Sequence, residues 1–316
     1  MTLSIVCLER DAVGAAFGRP RAPHRWTEFP SSAQEQVVER LRDAEVAIIN
    51  KLRLGASEIA ALPRLQMVAV AATGSDNVDL EACRARGIVV SNVRGYAVHT
   101  VPEHALMLML ALRRRLFDYV ADVRAGRWAR SDNFCFFDHP IGDLHGATLG
   151  IIGRGGLGDG VARLGAAFGM RVIYAEHKGV AGVREGYTAF ERVLAEADVL
   201  SLHCPLTPAT RGLIGASELA SMKREAVLVN TARGGVVDEP ALAAALRAGV
   251  IAGAATDVLS SEPPREGNPL LAADIPNLIV TPHVAWASRQ AMQALADQVI
   301  DNIDAFATGA PRNRLA

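Results

Sequence analysis

The stretch Leu149-Gly150-Ile151-Ile152-Gly153-Arg154-Gly155-Gly156-Leu157-Gly158 decides the fold of this 316-residue chain. An apolar run leads directly into the spacing G-x-G-x-x-G, and a helical pattern follows it. In such a strand-turn-helix unit the first glycine makes the tight turn, the second lets the backbone approach a phosphate, and the third lets helix and strand pack closely. The helix N-terminus attracts negative charge. We therefore predict a pyrophosphate-binding turn formed by Gly153, Gly155, Gly156, Leu157 and Gly158.

The residues after this turn strengthen the prediction of a dinucleotide site. A helical stripe is followed by the strand-like run Val172-Ile173-Tyr174, and Glu176 stands eighteen positions past Gly158. A carboxylate there accepts hydrogen bonds from a free ribose 2′-hydroxyl and repels a 2′-phosphate. The sequence thus favours NAD over NADP. The neighbouring cations His177 and Lys178 keep NADP as an alternative, because they would attract a phosphate if Glu176 turned away.

Strand-like and helical patterns alternate along the whole chain, which is typical of α/β folds with parallel sheets. We predict two Rossmann-like, doubly wound domains with the active site in the cleft between them, at the carboxyl ends of the strands. The strand-like runs before the glycine turn include Ser4 to Leu8, Val46 to Ile49, Met67 to Ala71 and Val89-Val90. Those after it include Val199 to Leu202, Val227 to Asn230, Gly253 to Thr256 and Leu278 to Val280.

The order of these patterns predicts a discontinuous first domain. A long helix begins near Pro102 with Thr100 as a plausible N-cap, and a last helix, Ser288 to Phe306, follows the final strand of the second sheet. If the last helix packs back on the first sheet, residues 1–98 and 285–316 form the substrate domain. Residues 99–284 then form the dinucleotide-binding domain.

Composition excludes several classes of function. The chain has 33 basic and 34 acidic residues without a long like-charge run, so we expect neither a nucleic-acid partner nor a membrane surface. The N-terminal apolar run is too short for a signal peptide, and we expect a cytoplasmic protein. Cys7, Cys83, Cys135 and Cys204 lie far apart, a spacing that favours neither a metal site nor a disulfide framework.

Further motifs connect the chain with a known family. They are Asn230-Thr231-Ala232-Arg233-Gly234-Gly235, the run from Asp257 to Pro263 and Thr281-Pro282-His283, joined by the run from Ala72 to Asp79 and by His203-Cys204-Pro205-Leu206-Thr207. With the glycine turn, these segments resemble the D-isomer-specific 2-hydroxyacid dehydrogenase family over nearly the whole chain. The runs from Ala175 to Gly179 and from Pro282 to Ser288 resemble those of bacterial glycerate dehydrogenases, also called hydroxypyruvate reductases.

The resemblance implies three catalytic residues whose chemistry suits the reduction of a 2-keto acid. Arg233 would bind the substrate carboxylate and polarise the adjacent carbonyl, because a planar guanidinium donates two parallel hydrogen bonds. His283 would supply the proton in reduction and remove it in oxidation. Glu262 would orient the imidazole and stabilise its protonated form.

The resemblance also implies residues that bind substrate and cofactor. For the substrate these are the backbone amides of Thr73, Gly74 and Ser75, together with Lys51 and Trp286; an ordinary surface lysine and core packing are the alternatives for the last two. For the cofactor they are His203, Cys204, Pro205 and Thr207 near the adenosine and pyrophosphate, Thr231 and Ala232 towards the nicotinamide, and Asp257 on its carboxamide. Asp257 has an alternative as a cap of the following turn.

The function expected from this resemblance is hydride transfer between NAD(H) and a small D-2-hydroxy acid. D-glycerate and hydroxypyruvate are the leading pair, and glyoxylate, phosphoglycerate or a bulkier keto acid stay open. The alternative from another class is an NAD(H)-sensing, corepressor-like binding protein on the same fold. The apolar helix from Ala105 and the aromatic run Phe134 to Phe137 suggest a homodimer.

Overall fold

The computed structural model describes residues 2–316. Its contacts divide the chain into two compact units: one combines the segment ending at Ala97 with Trp286–Ala316, and the other is Val98–Ala285. Strands and helices are numbered along the chain, and each unit is described by itself.

The first unit is built on a five-stranded parallel sheet with the order β2-β1-β3-β4-β5. Its strands are β1 Leu3–Cys7, β2 His24–Glu28, β3 Val46–Ile49, β4 Met67–Val70 and β5 Val89–Ser91. Its helices are α1 Val37–Leu41, α2 Ala56–Ala60, α3 Leu80–Ala85 and α10 Arg289–Ala307. This order is the doubly wound arrangement, with a switch point between β1 and β3.

Both faces of this sheet are covered, which explains the uninterrupted apolar runs of its central strands. Every residue of β3 and β4 is buried. Because successive side chains point to opposite faces, Ala47 and Ile49 join the core beneath α1 to α3. Val46 and Ile48 face the other way and pack with α10, whose Leu295, Val299 and Ile303 recur at helical spacing.

Strand β2 was not predicted from the sequence. Its residues His24-Arg25-Trp26-Thr27-Glu28 alternate between half-buried and exposed, and it pairs only with β1, at the edge of the sheet. An edge strand with one large apolar residue carries little hydrophobic pattern, so its pairing is decided by its neighbour.

The second unit is built on a six-stranded parallel sheet with the order β11-β10-β9-β8-β6-β7. Its strands are β6 Thr148–Ile152, β7 Arg171–Tyr174, β8 Val199–Leu202, β9 Val227–Asn230, β10 Gly253–Thr256 and β11 Leu278–Val280. Its helices are α4 Thr100–Arg113, α5 Leu116–Arg124, α6 Gly156–Ala167, α7 Phe190–Glu196, α8 Ala216–Ala220 and α9 Glu239–Arg247. The prediction of doubly wound parallel sheets is confirmed.

Helix α4 packs on one face of this sheet through an apolar stripe. Ala105, Leu108, Met109 and Leu112 recur at helical spacing and are buried together with β6 side chains. The helix from Ala105 therefore covers its own unit's core, which corrects the expectation that it offers these side chains to a second copy. The predicted N-cap is also wrong by one residue: His99 precedes the helix, and the hydroxyl of Thr100 donates to Ala285 O at 3.2 Å.

Strand order places the candidate site residues of this unit at one edge. The chain leaves β6 towards β7 on one side and, later, towards β8 on the other, so a switch point lies between β6 and β8. Since the strands are parallel, the segments that follow them all emerge at the carboxyl edge. Those segments carry Gly153, Glu176, His203, Arg233, Asp257 and His283.

Two further observations concern membrane-spanning helices and the state of the cysteines. Across residues 2–316 no helix combines the length and apolar character needed to cross a bilayer. All four cysteines are free, and Cys7, Cys83 and Cys204 are buried.

Candidate active site

The glycine turn after β6 depends on close backbone approach. Gly153 has φ +101°, and a Cβ there would lie 2.6 Å from the carbonyl carbon of His203 and 2.7 Å from the nitrogen of Cys204. A Cβ on Gly158 would lie 2.1 Å from Gly153 O. Only glycine fits at these two positions, so the turn after β6 lies directly against the turn after β8.

The same turn presents its amides at the start of α6. The helix begins at Gly156, and its first-turn N–H groups, including those of Gly156 and Leu157, have no partner within the helix. A Cβ on Gly155 would meet no heavy atom within 4 Å. This is the geometry in which backbone N–H groups approach a pyrophosphate.

Two buried polar atoms along this edge also fit a dinucleotide. Within residues 2–316, Thr231 Oγ1 and His203 Nδ1 are among the few buried side-chain atoms without a hydrogen-bond partner. A buried polar group left unpaired costs about 1–3 kcal/mol. Both atoms follow strands, β8 and β9, at the carboxyl edge of the sheet, where this type of fold binds polar ligands, and the residues present there fit an NAD-type cofactor.

The other predicted cofactor residues of this edge lie in the same two loops. Cys204, Pro205 and Thr207 follow β8, where the Thr210 hydroxyl donates to Pro205 O at 2.6 Å and accepts from Thr207 N at 2.7 Å. Ala232 is buried in the turn after β9. Burial raises the pKa of the Cys204 thiol, which keeps it protonated and unreactive.

Glu176 lies at the end of β7, where the sequence predicts a ribose-binding carboxylate. Its Oε1 accepts from His177 N at 2.8 Å and from Arg184 Nη2 at 2.6 Å. Its Oε2 accepts from Arg184 Nε at 2.7 Å and from Arg184 N at 3.1 Å. The bidentate Arg184 guanidinium lowers the pKa of Glu176 to about 2, helped by the His177 amide.

Arg233 is positioned by the turn that follows β9. Asn230 Oδ1 accepts from Ala232 N at 3.0 Å, Asn230 Nδ2 donates to Arg233 O at 3.1 Å, and Arg233 Nη1 donates to Ala232 O at 2.8 Å. A Cβ on Gly234 would lie 1.9 Å from Leu259 O. Glycine at this position therefore lets the Arg233 turn lie against the segment that carries Glu262.

His283 and Glu262 form a hydrogen-bonded pair. The imidazole Nδ1 lies 2.6 Å from Glu262 Oε2, and Glu262 Oε1 accepts from Leu259 N at 2.8 Å. His283 has φ +56°, a left-handed conformation that a residue with a side chain adopts only when its surroundings impose it. The arrangement is that of a proton-transferring base with a carboxylate that orients it.

Asp257 holds the backbone that follows His283. Its side chain is 1 % exposed, and it accepts from Val284 N at 3.0 Å and from Ala285 N at 2.8 Å, in addition to the Thr281 hydroxyl. Asp257 thus caps the turn after His283, whereas the alternative from the sequence was a cap of the turn that follows Asp257, where Val258 N and Leu259 N donate to Thr256 and Glu262 instead. Contact with a nicotinamide carboxamide stays a prediction.

The sequence analysis did not identify His104 and Glu239 as parts of this site. His104 Nε2 lies 3.2 Å from Thr281 Oγ1, and its burial lowers the pKa of the imidazole, an effect that the nearby Asp257 carboxylate opposes. Glu239, buried at the start of α9, accepts from Ser260 N at 2.6 Å and from Ser260 Oγ at 2.7 Å. Glu239 thereby fixes the segment preceding Glu262. In the sequence, Glu239 stands between Asp238 and Pro240, a pattern that indicates only the start of a helix.

A cavity of about 400 Å³ lies beside these groups within the second unit. Its polar lining comes from Asp257, Glu262, Thr281 and His283, and its apolar lining from Leu259, Pro263, Pro264, Leu271, Val280 and Pro282. The hydrogen-bonded pair of His283 and Glu262 thus borders a space of the size that small-molecule ligands occupy.

The predicted substrate residues lie in the first unit. Lys51 follows β3 in a loop held by Glu9, whose carboxylate accepts from the amides of Asn50 at 2.7 Å and of Lys51 at 3.0 Å. The loop of Thr73, Gly74 and Ser75 follows β4, and the hydroxyl of Thr73 donates to Val93 O at 2.8 Å. Both loops stand at the carboxyl edge of their sheet. Sequence reasoning missed Glu9, an acid directly after β1.

Trp286 also belongs to the first unit. Its ring meets Tyr96 edge-on with the centroids 6.2 Å apart, and it packs on the core that includes α10. The surroundings of Trp286 therefore agree with the core-packing alternative. A contact between Trp286 and the substrate stays a prediction.

Comparison with known proteins identifies the family. The model of the D-isomer specific 2-hydroxyacid dehydrogenase NAD binding domain matches residues 106–285, more than half of the chain. The chain belongs to the D-isomer-specific 2-hydroxyacid dehydrogenase family. This confirms the resemblance inferred from the motifs, and with it the chain is an oxidoreductase acting on 2-hydroxy acids.

The sequence of this dehydrogenase aligns with those of its relatives over most of their lengths. It is 50% identical to the glycerate dehydrogenase of Methylorubrum extorquens over 99% of both chains. It is 34% identical to the hydroxypyruvate reductase of Blautia hydrogenotrophica over 88% of this chain and 87% of that protein. Among solved structures, an NADPH-dependent glyoxylate/hydroxypyruvate reductase from Sinorhizobium meliloti is 30% identical with a TM-score of 0.82, covering 99% of this chain and 98% of that one.

Proposed function

We propose that this dehydrogenase transfers a hydride between NAD(H) and a small D-2-hydroxy acid, with D-glycerate and hydroxypyruvate as the principal pair and glyoxylate as a further substrate. The observation that carries the proposal is the 2.6 Å bond between His283 and Glu262 at the sheet edge that also bears Arg233. The 50% identity to a glycerate dehydrogenase supports the substrate pair. The NAD(H)-sensing alternative gains no support from relatives, which are named for dehydrogenase or reductase activity.

Arg233 binds and polarises the substrate in this mechanism. Its guanidinium donates to the carboxylate of the 2-keto acid and to the C2 carbonyl oxygen, which concentrates positive charge where negative charge develops. The turn held by Asn230 and Gly234 fixes its position before substrate binds, so little conformational entropy is lost on binding.

His283 moves the proton. A nicotinamide dinucleotide bound at the glycine turn would supply the hydride for C2, and the protonated imidazole provides the proton for the C2 oxygen. Because Nδ1 faces Glu262, the transfer takes place through Nε2. Glu262 stabilises the imidazolium before the transfer, and in oxidation the same groups work in reverse.

The substrate carboxylate is also bound by the first unit in this proposal. The backbone amides of the Thr73, Gly74 and Ser75 loop bind one carboxylate oxygen, and Lys51 adds positive charge. The bonds that Glu9 and Thr73 make keep both loops ordered. These roles rest on the family resemblance.

We further infer that two copies form a dimer in the cytoplasm. Helix α5 presents Leu116, Phe117, Val120 and Val123 to solvent at helical spacing, and Phe134 and Phe137 are exposed in the following loop. Several large apolar side chains exposed in this way are typical of an interface between subunits.

The experiment that tests the function follows NADH absorbance with hydroxypyruvate, glyoxylate, pyruvate and 3-phosphohydroxypyruvate in parallel, and compares His283→Ala with wild type. We expect turnover with hydroxypyruvate and a kcat lower by about 100-fold or more in the variant, because proton transfer contributes that much. The Kd for NADH should stay near the wild-type value.

The matched control is His24→Ala, which removes another half-buried histidine whose Nδ1 is bonded, in this case to Ala22 O at 2.8 Å. It should leave kcat unchanged. An unaltered kcat in His283→Ala, or loss of NADH binding in that variant, would overturn the assignment of His283 as proton donor.

A further inference from the structure

Glu176, the predicted acceptor of a ribose hydroxyl, has no acceptor capacity left. A carboxylate offers about four lone-pair directions. Four N–H groups occupy them here, one from the His177 backbone and three from the backbone and guanidinium of Arg184. A 2′-hydroxyl therefore finds no acceptor on Glu176 while Arg184 is in place.

In two ion pairs near the end of β7, the positive partner is the one that faces solvent. In the Arg184–Glu176 pair the cation is 55% exposed and the acid 3%. The same holds for Lys178 and Glu218, which are 2.8 Å apart and 45% and 11% exposed. In both pairs the carboxylate lies behind its partner, so a ligand that approaches from solvent meets N–H donors first.

A second guanidinium reaches this region from the glycine turn itself. The Arg154 guanidinium carbon lies 4.7 Å from the ring centre of Tyr174 and 5.6 Å from that of Tyr187. The corresponding atom of Arg184 lies 4.2 Å from the Tyr187 ring centre. Tyr187 thus holds two arginines beside the residues that follow β6 and β7, where the adenosine ribose binds in this type of fold.

We propose that Arg184, fixed on Glu176 and accompanied by Arg154, recognises a 2′-phosphate on the adenosine ribose, so that this dehydrogenase accepts NADP(H) and Arg184 determines its coenzyme selectivity. The inference rests on the proposed binding of a dinucleotide at the glycine turn. Turnover with NAD(H), as in the proposed function, is retained; the inference adds NADP(H) and removes only the preference for NAD that a carboxylate open to the ribose would give.

The chemistry of Arg184 suits this role. Of its five guanidinium N–H groups, two donate to Glu176, which leaves three for phosphate oxygens. Its bond to Glu176 and its packing on Tyr187 fix the side chain before the ligand arrives, so little rotamer entropy is lost on binding. If Arg184 instead moved away, the exposed carboxylate of Glu176 would repel a phosphate and accept from a ribose hydroxyl.

The test measures binding of two fragments without a nicotinamide, ADP-ribose and 2′-phospho-ADP-ribose, by titration calorimetry on the wild-type protein. We expect the phosphorylated fragment to bind more tightly by about threefold or more, because charge-assisted hydrogen bonds are the stronger ones. Its affinity should also fall more steeply with salt. Tighter binding of ADP-ribose would overturn the inference, whereas binding of neither fragment would overturn the dinucleotide site itself.

The variant Arg184→Ala separates recognition from structure. We expect its Kd for 2′-phospho-ADP-ribose to rise by about tenfold or more, while ADP-ribose binds as well as before or better because Glu176 is released. The matched control is Arg192→Ala, which removes a surface arginine of the same unit paired with Glu196 and should change neither Kd. Equal weakening of both fragments in Arg184→Ala would show a purely structural role and overturn the inference. If that variant does not fold, the wild-type ratio of the two Kd values decides.

Discussion

At the residue scale, the site depends on a few positions where backbone geometry and side-chain partners are unusual. His283 holds a left-handed conformation that costs about 1–3 kcal/mol, and Asp257 stabilises it through two backbone amides. The sequence named His283, Glu262 and Arg233 by their chemistry. It did not show that Gly234 has to touch Leu259 for two of the loops to meet.

Gly234→Ala tests that contact. The added methyl would lie 1.9 Å from Leu259 O, so the segment carrying Glu262 has to shift relative to the Arg233 turn. We expect kcat to fall by about tenfold or more, because small displacements of positioned groups are costly in catalysis. Steady-state kinetics with hydroxypyruvate measures the effect. Gly182→Ala is the control, since a Cβ there meets nothing within 4 Å; equal kcat values in the two variants would contradict the prediction.

The buried imidazole of His203 should lower the free energy of unfolding in acid. Burial lowers the pKa of its imidazole from 6.5 to about 4, so the unfolded chain binds a proton in this interval and the folded chain does not. This contribution is present above pH 6.5 and is lost as the pH falls towards 4. The slope is at most about 1.4 kcal/mol per pH unit. Urea denaturation of wild type and His203→Gln over this range should show a shallower fall in the variant, and parallel curves would contradict the assignment.

At the element scale, the sequence predicted most of the second sheet and less of the surface. The strands from β8 to β11 match their predicted bounds because each is a buried apolar run between turn residues. The segment Gln34–Gln36 forms a short 3-10 turn that leads directly into α1. Strand β2 was not predicted because a half-exposed edge strand carries little apolar pattern. Helix α5 was also missed, although its apolar residues recur at helical spacing.

The N-cap of the last helix, α10, can be tested by substitution. The Ser288 hydroxyl caps α10 by accepting from Ala291 N at 3.1 Å. Ser288→Ala should lower the free energy of unfolding by about 1 kcal/mol, because a first-turn amide loses its partner. Ser288→Asp keeps an acceptor and should retain wild-type stability. The measurement is urea denaturation; an alanine variant as stable as the aspartate variant would show that the cap contributes nothing.

At the scale of the whole molecule, we propose that the surface of the second unit carries the interface between two copies. With a formal net charge of −1, the chain has little charge repulsion between copies. The apolar stripe on α5 and the exposed rings of Phe134 and Phe137 form the surface that we propose for a dimer.

Phe117→Asp tests this surface. Phe117 is 59% exposed, so an aspartate does not disturb the core, yet it would bury a charge in the proposed interface. We expect wild type to elute as a dimer and the variant as a monomer in size-exclusion chromatography with light scattering. Phe168→Asp replaces another exposed phenylalanine of the same unit, at the end of α6, and should remain dimeric. A dimeric Phe117→Asp protein would place the interface elsewhere.

Patterns among neighbouring residues were enough to predict the sheet strands other than β2, the glycine turn and the chemical types of the candidate catalytic residues. Only the tertiary structure decided which partners the polar side chains have. Glu176 is bonded by Arg184, Glu239 holds Ser260, and Asp257 caps the turn after His283. These pairings depend on where separate loops come to lie at the carboxyl edge of the sheet. That placement is set by the packing of the whole unit, which no local pattern encodes.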